Sequence, residues 1–98
     1  MDIIKTQRIN NLLDLYKDLL TEKQLEVMDM YFSYDLSLSE IASDTNTSKA
    51  AVYDLIKRTS KTLENYEAKL HLLEKREKIY KLVENLDEEL KEMILELV

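Results

Sequence analysis

The chain has 98 residues, no glycine, no proline and no cysteine, and a net charge of −6. A length like this makes one domain, or one small core with an extension. About seven glycines and five prolines would be average. Their absence removes the residues that tight strand connections depend on, so an all-α fold is expected. Disulfide and thiolate chemistry are excluded, no apolar run approaches a membrane span, and no signal-peptide pattern opens the chain. A cytoplasmic location without membrane insertion fits this composition.

The first helix is marked by Ile9, Leu12, Leu13, Tyr16, Leu19 and Leu20, spaced three and four apart. "TEKQ" then predicts a helix start, with Thr21 as N-cap and Gln24 closing a capping box. This second helix should bury Leu25, Met28 and either Tyr31 or Phe32, and end near Tyr34. "SLSE" repeats the signal, with Ser37 as cap and Glu40 as its partner, opening a short helix that carries Leu38, Ile41 and Ala42. Ser48 is the next N-cap. From there Val52, Leu55, Ile56, Leu63, Tyr66, Leu70, Leu73, Ile79, Leu82 and Val83 keep helical spacing with no breaker before Asn85. If continuous, residues 48–84 would form a rod about 55 Å long; a break near residue 75 is the alternative. "NLDE" predicts a last helix, capped by Asn85 with Glu88, so that four or five helices are expected.

Two blocks follow from this pattern: a helical domain over 1–62, and a C-terminal helical extension over 63–98 used for packing or dimerisation. Ile79, Val83, Leu86, Leu90, Met93 and Leu97 fall close to 3.5 residues apart, a stripe that needs a covering partner. Either the last helix folds back on the rod, or a second chain forms a homodimer.

Residues 38–57 have the layout of a helix-turn-helix. Ala42 is the small residue where the two helices approach, and Asn46 occupies the left-handed turn position where glycine is usual. Ile41, Val52 and Leu55 are the apolar locks. Thr45 and Thr47 stand where aliphatics are more common. The charge pattern agrees with a local polyanion site: residues 48–69 carry five basic and three acidic side chains, whereas residues 21–47 carry one and six.

Residues 20–67, from "LTEKQ" through "LSLSEIA" and "AVYDLIKR" to the basic helix, resemble region 4 of bacterial sigma factors. The whole chain, including the helix before "LTEKQ" and the long charged C-terminal helix, resembles the YlxM family of small bacterial proteins. That resemblance implies a sigma-region-4-like helix-turn-helix with a long C-terminal helix and a terminal helix. It also implies a regulatory role in the signal recognition particle pathway, a role inferred for the family from neighbouring genes. Carried over by position, the residues facing a DNA groove are Lys49, Ala50, Ala51, Tyr53 and Asp54.

The equipment for reading bases is thin. Guanine is usually read by arginine and adenine by asparagine or glutamine. Here two alanines offer at most a methyl contact, and Asp54 repels phosphate. Lys49, Lys57, Arg58 and Lys61 suit phosphates, with Ser48 adding a helix N-terminus. The nucleic-acid set is therefore Ser48, Lys49, Tyr53, Asp54, Lys57, Arg58 and Lys61. DNA is preferred to duplex RNA, whose deep major groove would not admit this helix. The lysines could equally be a solvated helix face. The alternative function is a protein-interaction adaptor of the targeting machinery that uses the alanine-lined helix. No catalysis, cofactor or metal is expected. Glycine for a P-loop is missing, His71 stands without cysteine company, and the carboxylates look spread over exposed faces.

Overall fold

The computed structural model describes residues 3–98. Six α-helices follow one another: α1 Ile3–Tyr16, α2 Glu22–Met28, α3 Leu38–Asp44, α4 Lys49–Leu70, α5 Leu72–Val83 and α6 Glu88–Leu95. A 3-10 turn, Lys17–Leu19, closes α1, and a π-helical turn, Asp29–Ser33, extends α2. Among the described residues there is no strand.

Both capping boxes form. Thr21 Oγ1 accepts from Gln24 N at 3.1 Å while Gln24 Oε1 accepts from Thr21 N at 2.9 Å. Ser37 and Glu40 repeat the exchange at 3.1 Å each way. Ser48 Oγ caps α4 through Ala51 N at 3.1 Å. Each such cap is worth about 1 kcal/mol and fixes where a helix begins. The helix ends need left-handed residues, and a chain without glycine supplies them from Asp35, Asn46 and His71, at φ 54°, 55° and 56°. These three residue types tolerate positive φ best after glycine.

The core gathers Leu12, Leu13 and Tyr16 of α1, Val27 and Met28 of α2, Ile41 and Ala42 of α3, and Val52, Ile56 and Leu63 of α4. Helix α4 is the central element and packs on α1, α2 and α3. Several details differ from the sequence pattern: Leu25, Tyr31 and Phe32 are only half-buried, and Leu70 and Leu82 are exposed. Leu19 is exposed, because the chain leaves α-helical geometry at Tyr16, and Val27 takes a place in the core.

The rod expected over 48–84 is broken at His71. Its left-handed backbone closes α4, with His71 N donating to Glu67 O at 2.8 Å. The start of α5 is then held from the core. Glu67 Oε1 accepts from Leu73 N at 3.0 Å, Glu67 Oε2 from Glu74 N at 3.1 Å, and Tyr16 Oη from Leu72 N at 3.2 Å. Tyr16 Oη in turn donates to Glu67 Oε1 at 2.7 Å. One buried carboxylate and one buried phenol thus satisfy three first-turn amides that a helix leaves orphaned. Leu73 follows into the same core as Leu12 and Leu63. The core therefore crosses the boundary expected after residue 62, and α6 is the helix that buries no residue.

The terminal helix is capped by Asp87, not Asn85: Asp87 Oδ1 accepts from Leu90 N at 3.0 Å. Residues 84–86 are spent closing α5, with Leu86 N donating to Val83 O at 3.0 Å. The stripe from Ile79 to Leu97 is consequently split over two helices and is not one continuous seam. Val83 is buried within the chain, whereas Leu86, Leu90, Met93 and Leu97 are exposed.

Candidate nucleic-acid interface

The helix-turn-helix is α3, the turn Thr45–Ser48, and α4. Thr47 N reaches back to Ala42 O at 2.9 Å and Thr45 N to Ile41 O at 2.9 Å, a double closure that requires positive φ at Asn46. The two threonines that break the usual apolar pattern have a role here. Thr45 Oγ1 donates to Ile41 O at 2.7 Å and lies 3.1 Å from Thr47 Oγ1, so hydroxyls stitch the turn where side-chain packing would otherwise hold it.

Helix α4 turns Val52, Ile56, Thr59 and Leu63 inward. At 100° per residue this points Ala50, Asp54, Lys57 and Lys61 outward, with Arg58 beside them and Tyr53 on the opposite flank. The charged side chains of this face, Asp54, Lys57, Arg58 and Lys61, are exposed, and so is Lys49 at the helix tip. The structure divides the expected set. Tyr53 and Lys57 line an apolar groove that α4 forms with α1, while Asp54 and Arg58 line a second cleft against α2 with Thr47 and Ala51. Lys49 and Ser48 sit at the N-terminal tip of α4, and Lys61 stands one turn beyond Lys57.

Electrostatics thin the set further. Arg58 Nε is 3.0 Å from Asp54 Oδ2, with side chains 80% and 57% exposed. Such a surface pair is worth about 0–1 kcal/mol, so a phosphate can displace it, but Asp54 is occupied internally in the free protein. Ser48 Oγ is occupied by its cap. Lys49, Lys57 and Lys61 make no ion pair among the described residues. Glu64 pairs not with a lysine of α4 but with Arg8 of α1, at 2.7 Å and 3.0 Å, and this pairing raises the arginine's pKa.

The residue that sequence reasoning missed is Glu67. Burial pushes its carboxyl up, but the hydrogen bonds from Tyr16, Leu73 and Glu74 outweigh that and hold it below the ordinary glutamate value. Tyr16 is pushed up by burial and by donating to the carboxylate. A signal was present: Ile56, Leu63 and Glu67 share the stripe that faces the core. Among the described residues no group of His, Cys, Asp and Glu could hold a metal ion, and no helix is long and apolar enough to cross a membrane.

The family pattern described as "Putative helix-turn-helix protein, YlxM / p13 like", UPF0122, matches residues 3–96. The chain belongs to this family. UPF0122 relatives are similar along much of the sequence. The Lactococcus lactis subsp. cremoris protein is 54% identical over 72 residues, covering 74% of this chain and 65% of that protein. The Clostridium botulinum protein is 54% identical over 84 residues, 86% of this chain and 77% of its own length. The Clostridium perfringens protein is 48% identical over 96 residues, 88% and 86% respectively. This chain thus covers slightly under two thirds of the Lactococcus protein. The all-α fold and the family agree, and a helix-turn-helix of this kind suggests nucleic-acid binding.

Proposed function

We propose that this UPF0122 protein is a non-enzymatic regulatory protein that binds nucleic acid through the exposed face of α4, holding phosphates with Lys49, Lys57, Lys61 and Arg58. The observation that carries this reading is the geometry of α4: a capped helix beyond a left-handed turn, with Lys49 at its tip and Lys57 and Lys61 on its outward face, none of them in an ion pair among the described residues. Ala50 and Ala51 give that face little means of distinguishing bases, so backbone contacts dominate and the binding is only weakly sequence-specific. Ser48 contributes through the helix N-terminus rather than its hydroxyl, and Tyr53 and Asp54 supply what discrimination there is. A role in the signal recognition particle pathway is part of the proposal and rests on the family resemblance.

Fluorescence anisotropy against a mixed duplex DNA and a structured RNA, at two salt concentrations, tests the reading. Binding should weaken with salt at a log–log slope of about 0.9 per phosphate contact on DNA. Lys49→Ala/Lys61→Ala should lower that slope by about 2 and weaken binding equally for unrelated sequences. No binding at low salt would sink the proposal for this chain. A flat salt response with a protein ligand would instead favour the adaptor reading, in which the alanine face packs on a partner.

A further inference from the structure

The groove between α1 and α4 is not absorbed by phosphate binding. It has a volume of about 440 Å³, and its walls are apolar: Ile9, Ile56, Tyr31, Phe32 and Leu38 line it, with Tyr53 at 57% exposure beside them. Its charged members are Lys5, Arg8 and Lys57, together with Glu64, which Arg8 already neutralises. Neither Lys5 nor Lys57 is in an ion pair among the described residues. An apolar trough with a basic edge fits an amphipathic helix whose charged flank is acidic.

The chain carries such a helix. Leu90 and Met93 of α6, with Leu86 just before the helix and Leu97 just after it, are spaced four, three and four apart and make one apolar stripe. All four are exposed, Met93 at 60% and Leu97 at 85%. Glu89 and Glu96 flank the stripe on the same side, and residues 87–98 hold five acids and one lysine. Leu95 lies on the side of α6 opposite the stripe and Ile94 borders the stripe on the flank away from Glu89 and Glu96; both are half-buried, and α6 packs principally on α5. The four residues 84–87 span at most about 14 Å, and with its other side committed to α5 the helix turns its bare stripe away from its own chain.

We propose that the groove receives α6 of a second copy of this chain. Each copy offers one groove and one α6, so two reciprocal contacts close a two-fold dimer and leave no open end. The stripe fills the apolar trough, while Glu89 and Glu96 meet Lys5 and Lys57. Dimerisation then uses only the α6 half of the stripe, with Val83 retained by its own chain.

Sedimentation velocity over a concentration series, without nucleic acid, is the test. The wild-type chain should pass from monomer to dimer between low and high micromolar concentration. Met93→Asp/Leu97→Asp, both at exposed positions, should weaken the dimer at least about tenfold, with circular dichroism showing the helical fold intact. Lys5→Glu/Lys57→Glu and Glu89→Lys/Glu96→Lys should each weaken it several-fold, and the chain bearing both exchanges should recover affinity to within about twofold of wild type. A chain that stays monomeric throughout overturns the proposal, as does a dimer indifferent to Met93→Asp/Leu97→Asp or a combined exchange that fails to recover. A monomeric chain whose groove nevertheless binds a peptide of residues 85–98 would also overturn it, and would assign the groove to an acidic helix of another protein.

Discussion

Glu67 is a charged residue on the apolar face of a helix, a placement that costs several kcal/mol unless the charge is fully hydrogen-bonded. Here it is: the Tyr16 hydroxyl and two backbone amides converge on its two oxygens. Glu67→Gln keeps the volume but turns a donor toward Glu74 N, so we expect a loss of about 1–3 kcal/mol in urea unfolding. The pH dependence follows from the shift. The folded carboxyl titrates below its unfolded value, so its stabilisation is complete above the ordinary glutamate range and is lost as pH falls through the folded pKa. Removing the carboxylate should therefore flatten the acid limb of the stability profile. An acid limb unchanged in Glu67→Gln would mean that other carboxylates set it. Tyr16 carries the opposite sign: its pKa is raised in the folded chain, so its contribution is complete below the ordinary tyrosine range and is lost as pH rises through the folded value.

At the scale of elements, the turn between α3 and α4 decides where the candidate interface points. Asn46 holds φ 55°, a conformation that costs a β-carbon about 1–2 kcal/mol unless the side chain is asparagine, aspartate or glycine. Asn46→Gly should be close to neutral, and Asn46→Ala should destabilise by about 1 kcal/mol in thermal melts. Equal Tm values for the two variants would show that the backbone relaxes without strain. Most of this element was readable from sequence because its determinants are local: Thr21 with Gln24, Ser37 with Glu40, Ser48 with the amide of Ala51, and Asn46 as a glycine substitute. The break at His71 was not readable. Its own residue gives a weak signal, and the groups that cap α5 come from Glu67 and from Tyr16, 51 residues away in sequence from Glu67. Asn85 and Asp87 were both competent caps for α6, and the backbone bonds closing α5 selected the second. The candidate face was legible as a set of charges on one helix. Its partition between two grooves depended on where α1 and α2 lie.

Stability across the whole molecule should be graded. Helix α4 is covered by α1, α2 and α3 and contributes Val52, Ile56 and Leu63 to the core, whereas α6 buries no residue and leans mainly on α5. Local opening costs little where few apolar groups are lost, so α6 should open far below the global unfolding free energy. Hydrogen exchange at a concentration where the chain is monomeric should show α6 amides with little protection, and the Val52–Leu63 region of α4 with the highest. The Glu67–Tyr16 junction should place the first turn of α5 with the core and not with α6, because its amides are bonded to groups that open only when α1 and α4 separate. If α6 pairs with a second copy as proposed, raising the protein concentration should slow exchange chiefly in α6 while leaving α4 at its own limit. Protection in α6 that equals that of α4 in the monomer would show that the terminal helix draws its stability from its own chain.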